Sequence, residues 1–446
     1  MPSALDAADR RERAAPLDVP PAAGGRVCII TPGYLSSSPR AVREADALTS
    51  SGFDVRVVCS EGPLEYLRAS DEELRTSARW QVSTCRWSDG RPGERWAYHR
   101  SRARHRLFRA MPAASWRIAG VAERAEGRLF PELAALAAAH AADLYVGHYP
   151  AGLAAAYQAA RRHGAALSYD VEDLYADTLS AGDSSSAGRE RILHLERRYA
   201  HRCRYISAVS QPVAHAFAER HDVETPIVVH NCHPWADRGA ADGRVRDRAG
   251  DGLSLYWFSQ TVGLDRGLQD VIRAAGTVPA AVRIHVRGAM DEGVRRALAG
   301  EASAAGLESR VHFHEPASPR EMLSRAMEHD VGLALEPGGS LNNRLTVSNK
   351  ILLYLTAGLA VVATATEGQR SVLDTCPGAG FLYESGDIGA LSRQLARWAS
   401  NPEALAVARQ ASAEAAHARW NWEHESRPLV AAVGRAVASS RLRAGS

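Results

Sequence analysis

Lys350 is the residue whose position most clearly suggests anion binding, because every other basic residue of the chain is an arginine. It follows Ser348 and Asn349 at the predicted start of a helix, where backbone N–H groups lack partners. A cation at that end opposes the helix dipole at a typical cost of about 0.3–1 kcal/mol. A bound phosphate would remove this cost. Ser348, Asn349 and Lys350 therefore fit a diphosphate site, and the alternative is a solvent-exposed lysine.

A second cation has the same predicted setting. Arg266 lies at the start of a predicted helix over 265–275, shortly after Gln260 and Gly263. Two cations at two helix starts favour a diphosphate site over coincidence. The alternative for Arg266 is a surface salt bridge to a neighbouring aspartate.

Acid–base chemistry is suggested by side chains that follow two predicted strands. His148 follows the strand 143–147, and Glu172 and Asp173 follow the strand 166–170. The carboxyl ends of parallel strands meet at the ligand-binding edge of a sheet. Because adjacent residues point in different directions, we expect Glu172 to reach a ligand and Asp173 to stabilise the chain. The alternatives are carboxylates that cap a turn and a hydrogen-bonded histidine without a catalytic role.

The elements that would position these groups alternate between strand and helix. A βαβ opening runs from the strand 26–31 through the loop 32–38 to a helix that begins at Pro39. The loop supplies Gly33, Tyr34 and Ser38, and the helix supplies Arg40. Neither the dinucleotide-binding glycine fingerprint nor the Walker lysine pattern is present.

A second α/β series follows a polar segment, so the pattern predicts two α/β domains in tandem. The polar segment is rich in Asp, Arg and Gly, as in a linker. The predicted units are a disordered tail at 1–25, an N-terminal domain at 26–235, a linker at 236–252, a C-terminal domain at 253–415 and a final helical region at 416–446.

Length and composition exclude several classes of protein. The 446 residues carry a formal charge of +3, which is too small to indicate a nucleic-acid-binding protein. The six cysteines form no CxxC pair, which argues against a structural zinc site or a disulfide scaffold. No run of residues reaches the length of a membrane span. We therefore expect a cytoplasmic protein with reduced cysteines.

Arginines and aromatic residues alternate between residues 87 and 125. This pattern is typical of a solvated basic helix face. The alternative is a surface for an anionic acceptor or for weak contact with an anionic membrane.

Five segments, in this order, resemble the GT-B-fold glycosyltransferases, nearest to the large retaining family 4 of the actinobacterial type with small-molecule acceptors. They are Asp143–His148, Val229–Asn231, Phe258–Leu268, Asn349–Val362 and Trp420–Glu423. The resemblance covers roughly residues 26–430.

The resemblance implies two Rossmann-like domains facing across a cleft, a nucleotide-sugar donor in the second and an acceptor at the first. It places Arg266 and Lys350, with Gln260, Asn349 and Ser348, at the donor diphosphate. Gly263, Glu367 and Gly368 are expected near the nucleotide or sugar. The acceptor is expected near the first loop, and no metal or other cofactor is expected.

Three departures from the family pattern bear on chemistry. Leu345 and Leu353 stand where the family has paired glutamates that contact ribose and sugar hydroxyls. The glycine pair of the first loop is replaced, and Glu172 stands where the family has a histidine. The sequence therefore predicts sugar transfer to a small acceptor, with two alternatives: a sugar-nucleotide epimerase of the same fold, or an inactive homologue that acts as a binding subunit.

Overall fold

The computed structural model describes residues 24–178, 186–248, 251–336 and 338–444. Within these ranges, helices flank two separate parallel β-sheets, as the alternating pattern predicts. The predicted tail at 1–25 lies outside the described residues except for its last two positions. Among the described helices, none is both long and apolar enough to cross a bilayer.

The first sheet contains seven described strands in the order β3-β2-β1-β4-β5-β6-β7, all parallel to their neighbours. Its central strands are continuous apolar runs because helices cover both faces. The strands are β1 (Arg26–Ile30), β2 (Asp54–Glu61), β3 (Gln81–Arg86), β4 (Leu144–His148), β5 (Ala166–Val171), β6 (Tyr205–Ala208) and β7 (Ile227–Val228). The helices are α1 (Pro39–Ser50), α2 (Glu65–Ser77), α3 (Pro92–Arg109), α4 (Val121–Glu126), α5 (Phe130–Ala138), α6 (Tyr149–His163), α7 (Ser186–Tyr199) and α8 (Gln211–His221).

The second sheet contains six described strands in the order β10-β9-β8-β11-β12-β13, again all parallel. The strands are β8 (Leu253–Thr261), β9 (Val282–Ala289), β10 (Val311–His314), β11 (Val331–Ala334), β12 (Ala360–Thr364) and β13 (Gly380–Tyr383). The helices are α9 (Leu268–Gly276), α10 (Glu292–Ala304), α11 (Met322–Met327), α12 (Leu341–Leu345), α13 (Asn349–Ala357), α14 (Glu367–Leu373), α15 (Ile388–Ser400) and α16 (Pro402–Ala418).

The last helix, α17 (Trp422–Ala444), returns to the first sheet. Its apolar residues Leu429, Val430 and Val433 are buried in the same cluster as β1 and β2. The chain therefore crosses between the two halves a second time. The first crossing, after β7, is fixed to the second half because Glu328 accepts hydrogen bonds from the backbone N–H groups of residues 246–248.

The structure corrects three local predictions. β3 is a half-buried edge strand with a polar sequence, and its weak alternation hid it from pattern analysis. The apolar run at 226–230 predicts a strand of five residues, but the described strand contains only Ile227–Val228. The helix predicted from residue 265 begins at Leu268, because Gly267 is its N-cap with φ at 72°. Arg266 therefore precedes the first helical turn instead of lying within it.

Candidate functional site

A cavity of about 240 Å³ lies between the two sheets, where the strands of both end. Six predicted site residues line it: Arg40, Glu172, Asp173, Ser348, Asn349 and Lys350. The first three come from the N-terminal half and the last three from the C-terminal half. The structure thus brings the expected proton-handling groups and the expected diphosphate site together. A larger cavity of about 470 Å³ lies near the start of β5, away from these residues.

The start of α13 forms the cationic side of the cavity. The Ser348 hydroxyl accepts a hydrogen bond from the Lys350 backbone N–H at 3.4 Å, and Gly358 ends the helix with φ at 70°. Serine at the start and glycine in the left-handed position at the end are the residue types that favour these caps. The Lys350 ammonium is mostly buried, with its side chain 13% exposed, and it lies 5.4 Å from the centroid of the Trp257 ring. Lys350 is therefore not a solvent-exposed lysine.

Glu336 is the functional candidate that sequence reasoning missed. Its carboxylate lies 3.0 Å from the Lys350 ammonium and accepts a hydrogen bond from the Ser348 hydroxyl at 3.0 Å. Burial raises the pKa of this carboxyl, but Lys350 and the hydrogen bonds lower it more, so the pKa lies below its ordinary value. Glu336 follows β11 at the ligand-binding edge of the second sheet, and that position was the available signal.

Leu345 and Leu353, where the resemblance implies glutamates, do not line this cavity. Leu345 is buried against apolar residues of the first half, and Leu353 is buried inside the second half. A carboxylate at either position would lose its hydration without a partner. Among the described residues that line the cavity, Glu336 is the carboxylate that the second half supplies.

His148 is fully buried at the end of β4 and connects two carboxylates. Its Nδ1 lies 2.9 Å from Glu172, and its Nε2 lies 2.9 Å from Glu44. Burial opposes the charged imidazolium, but the hydrogen bonds to Glu172 and Glu44 outweigh it and raise the pKa of His148 to about 10. At neutral pH both ring nitrogens therefore carry protons and donate. The histidine holds Glu172 in place and has no lone pair to accept a proton.

Arg40 is part of the same buried network. Its guanidinium donates two hydrogen bonds of 2.6 Å to Asp170, which is a bidentate pair. Burial raises the pKa of Asp170, but the charge and hydrogen bonds of Arg40, followed by the charge of His148, lower it more, so the pKa lies below its ordinary value. Ser207 also donates to this carboxylate. Arg40, predicted as an acceptor-loop residue, thus fixes the end of β5 beside the cavity.

Three of these groups also meet the donor chemistry of a metal site. Ligand atoms of His148, Asp170 and Glu172 lie within 4.8 Å of one another. Asp170 is already paired with the Arg40 guanidinium, and the His148 nitrogens are already bonded to carboxylates. The donor atoms of the cluster are therefore already engaged by its own side chains.

Asp173 points in a different direction from Glu172, as the sequence predicts. It accepts a hydrogen bond of 2.8 Å from the Asn342 side-chain amide, which belongs to the second half. The Asn342 amide oxygen in turn accepts from the Leu174 backbone N–H at 2.8 Å. Burial raises the pKa of Asp173 to about 6, and the nearby charge of Glu172 adds to the increase. Asp173 therefore connects the two halves across the cleft.

Asn349 takes part in a second contact between the halves. Its amide oxygen accepts a hydrogen bond of 2.9 Å from the Asn231 side chain. Asn231 is held by Arg43 of α1. This predicted diphosphate residue thus has a protein partner on the opposite side of the cleft.

The other predicted donor residues lie outside the lining of this cavity. Arg266 is 37% exposed and lies 3.6 Å from Asp265, but its charge still contributes to lowering the pKa of Glu336. Gln260 is exposed at the end of β8, and Gly263 lies in the loop that follows. Glu367 and Gly368 start α14, where Glu367 is exposed. A Cβ at Gly368 would lie 2.2 Å from the Thr346 carbonyl oxygen, so glycine is needed there for close packing.

The first loop has mainly internal contacts. The Tyr34 hydroxyl accepts a hydrogen bond from the Leu64 backbone N–H at 2.9 Å, and the Gly33 carbonyl accepts from Ser60. Ser38 is buried, and its hydroxyl lies 2.8 Å from that of Thr31 instead of capping α1. The structure therefore shows how this loop is held and does not bring Gly33, Tyr34 or Ser38 into the cavity lining.

Tyr149 carries backbone strain beside the His148 network. Its φ is 64°, a left-handed conformation that bulky residues rarely adopt. Its ring packs against Tyr175 with centroids 5.2 Å apart. Strain of this kind concentrates at functional sites because surrounding packing must hold it.

Known structures share this architecture. HepE of Anabaena, in complex with UDP and glucose, matches with a TM-score of 0.63 and 14% identity over 92% of this chain and 100% of that one. Sucrose-phosphate synthase of Thermosynechococcus elongatus matches with a TM-score of 0.62 and 15% identity over 95% and 100%. A proposed UDP-N-acetylglucosamine 2-epimerase of Listeria monocytogenes matches with a TM-score of 0.52 and 11% identity over 87% and 91%. No protein-family model and no curated protein matches the sequence.

These similarities confirm the predicted fold. The chain has the GT-B architecture, in which two Rossmann-like domains face each other across a cleft. At such low identity the similarity concerns the fold alone. The chemistry of this chain has to be argued from its own residues.

Proposed function

We propose that this protein transfers a sugar from a nucleoside-diphosphate sugar to a small-molecule acceptor, as a family-4-type glycosyltransferase. The observation that carries the proposal is a buried ammonium at a helix N-terminus, Lys350, facing the carboxylate of Glu172 across one cleft. The ammonium is suited to bind a diphosphate, and the carboxylate is suited to take the acceptor's proton. The binding of UDP and glucose by HepE, a protein of the same fold, supports this assignment.

The donor diphosphate is proposed to bind at the start of α13. Lys350 and Ser348 would meet its oxygens at the positive end of the helix dipole, and Arg266 would add charge from the neighbouring loop. Glu336 is the anion that balances Lys350 in the structure as it stands. A diphosphate would take over that role, so its affinity reflects competition with Glu336.

Transfer breaks the bond between the sugar's anomeric carbon and the diphosphate oxygen, and forms a bond from that carbon to the acceptor. The cations around Lys350 stabilise the charge that develops on the leaving diphosphate. Glu172 accepts the acceptor's proton or steadies positive charge on the sugar. His148 positions Glu172 through its 2.9 Å hydrogen bond.

Ligand access requires the two domains to separate. The cavity of about 240 Å³ is smaller than the roughly 300–1,000 Å³ usual for ligand pockets. The contacts between the domains include the hydrogen bonds of Asn342 and Asn231, a 2.8 Å hydrogen bond from the Ser210 hydroxyl to the Leu345 carbonyl, and the packing of Leu345 against the first domain. These contacts would have to break for a ligand to enter, and closure over a bound donor would exclude water.

Thermal melting with a panel of nucleoside diphosphates, followed by incubation with the matching sugar donors, tests this function. We expect one diphosphate to raise the melting temperature, and the matching donor to lose its sugar only when an acceptor is present. An isomerised donor in the absence of acceptor, detected by NMR, would identify an epimerase instead. Stabilisation without turnover on any acceptor would identify a binding subunit, and no stabilisation by any diphosphate would contradict the proposal.

A further inference from the structure

Helix α3 carries five exposed arginines, and three of them lack a partner in the described part of the chain. Arg102, Arg106 and Arg109 are exposed, and in the described part of the chain none of them forms an ion pair or side-chain hydrogen bond. Arg104 differs, since it donates to Glu132 and to the Arg128 carbonyl. Spacings of four and three residues place the three exposed arginines along one side of the helix. We call Arg102, Arg106 and Arg109 the arginine stripe.

An apolar stripe runs beside the arginine stripe, one residue further along the chain. Trp96, Ala103 and Leu107 are separated by seven and four residues, so they also share one side of α3. The side chains of Trp96 and Leu107 are 74% and 65% exposed. The opposite side of the helix is occupied, because Phe108 packs against the core of the first domain. Both stripes therefore belong to a fixed surface of the folded domain.

The start of α2 extends this surface. Glu65 pairs with Arg91 at 2.6 Å, which holds the first turns of α2 and α3 together. The flanking residues Leu64 and Tyr66 are 46% and 68% exposed. Of the nine large hydrophobic side chains that are exposed in the described residues, five lie between residues 64 and 118. The apolar exposure is therefore concentrated where the unpaired arginines lie.

We propose that this face of the first domain binds an anionic lipid surface. Unpaired arginines beside exposed Trp and Leu match the interface of a bilayer with acidic headgroups, where arginine meets phosphate and the ring lies at headgroup depth. A nucleic acid would use the arginines but would leave the apolar stripe in water. Because α3 is anchored to the core, contact is peripheral and reversible. This inference does not depend on the proposed sugar transfer.

Vesicle co-sedimentation tests the proposal on the full-length protein. The vesicles contain phosphatidylcholine alone or with about a third of phosphatidylglycerol. Each basic residue near an anionic surface strengthens binding about fivefold. The triple variant Arg102→Ser, Arg106→Ser, Arg109→Ser should therefore bind the anionic vesicles roughly a hundredfold more weakly. Trp96→Ser with Leu107→Ser should also reduce binding, and added salt should weaken binding of the unchanged protein.

A matched control removes the same charge elsewhere. Arg296, Arg393 and Arg397 are exposed on the second domain, and replacing all three by Ser should leave vesicle binding unchanged. All variants change surface residues and should retain the melting temperature of the parent protein. Equal losses in the two triple variants, equal binding to neutral vesicles, or binding to an RNA oligonucleotide with no binding to anionic vesicles would each overturn the proposal.

Discussion

Replacing Glu336 by Gln should make the protein less stable and yet a better binder of a nucleoside diphosphate, for which UDP, the ligand of HepE, is the probe. The change keeps the shape of the side chain and removes its charge. Lys350 loses its counterion and keeps a neutral hydrogen-bond acceptor at 3.0 Å. Weakening this mostly buried ion pair to a neutral hydrogen bond should lower the free energy of unfolding by about 1–3 kcal/mol.

The gain in affinity follows from the repulsion that the substitution removes. Two like charges about 4 Å apart repel by about 4 kcal/mol at the effective dielectric constant of a protein site. Part of this gain in affinity is offset, because the neutral amide of the variant interacts less favourably with the phosphate oxygens than water does. A net gain of about 1.4–2.8 kcal/mol corresponds to roughly 10- to 100-fold tighter binding of UDP.

Calorimetric titration with UDP and urea unfolding, both at about pH 7.5, measure the two effects. The pKa of Glu336 is lowered on folding, so its contribution to stability is complete above its unfolded pKa of 4.5 and is lost as the pH falls through the lower folded value. Neutral pH therefore reports the full effect. Glu384→Gln is the control, since Glu384 is exposed on the same domain and pairs with Arg370.

UDP binding that is unchanged or weaker in Glu336→Gln would refute the reasoning. Unchanged binding would mean that the diphosphate does not approach Glu336. Weaker binding would mean that the carboxylate contacts hydroxyl groups of the ligand instead of opposing its phosphates. A similar gain in UDP affinity in Glu384→Gln would mean that the gain comes from the overall charge of the domain.

Other predictions concern the opposite side of the cleft and the response to pH. Glu172→Gln should lower kcat by about 10²–10⁴ with donor affinity nearly unchanged, and an active Glu172→Gln enzyme would assign the proton to another group. Asp173→Asn should lower the melting temperature before it lowers kcat, because Asp173 connects the domains. Burial lowers the pKa of His285 to about 3 and of His329 to about 2, so both stay neutral when folded. The contribution of these neutral histidines to the free energy of unfolding is complete above pH 6.5. It is lost as the pH falls towards 3, by about 1.4 kcal/mol per histidine and per pH unit. Urea titrations should show this acid destabilisation, and a shallower pH dependence is expected when both are replaced by Gln; an unchanged slope would contradict the assignment.

Much of the fold could be predicted from local pattern. Apolar runs of about five residues that alternate with helical periods are strong signals of a parallel sheet, and most predicted strands appear within one or two residues. The misses have physical causes. β3 is a polar edge strand, and the left-handed Gly267 delays α9 by three residues.

The site was predictable where a residue has an unusual context or follows a strand at the ligand-binding edge of its sheet. Lys350 stood out because a cation at a helix start is unfavourable without an anion, and the cavity contains it together with Glu172. The identity of its counterion was not predictable, because Glu336 and Lys350 come from different elements. The same holds for Asp173 and Asn342, which come from different domains and meet across the cleft.

Titration of UDP, as the nucleoside-diphosphate probe, into the unchanged protein and into Lys350→Ala tests the diphosphate site directly. Removal of a charged hydrogen bond typically costs about 1.5–3 kcal/mol, so we expect UDP binding that is roughly 10- to 150-fold weaker in a variant that remains folded. Equal affinity of the two proteins for UDP would contradict the diphosphate site and with it the proposed function.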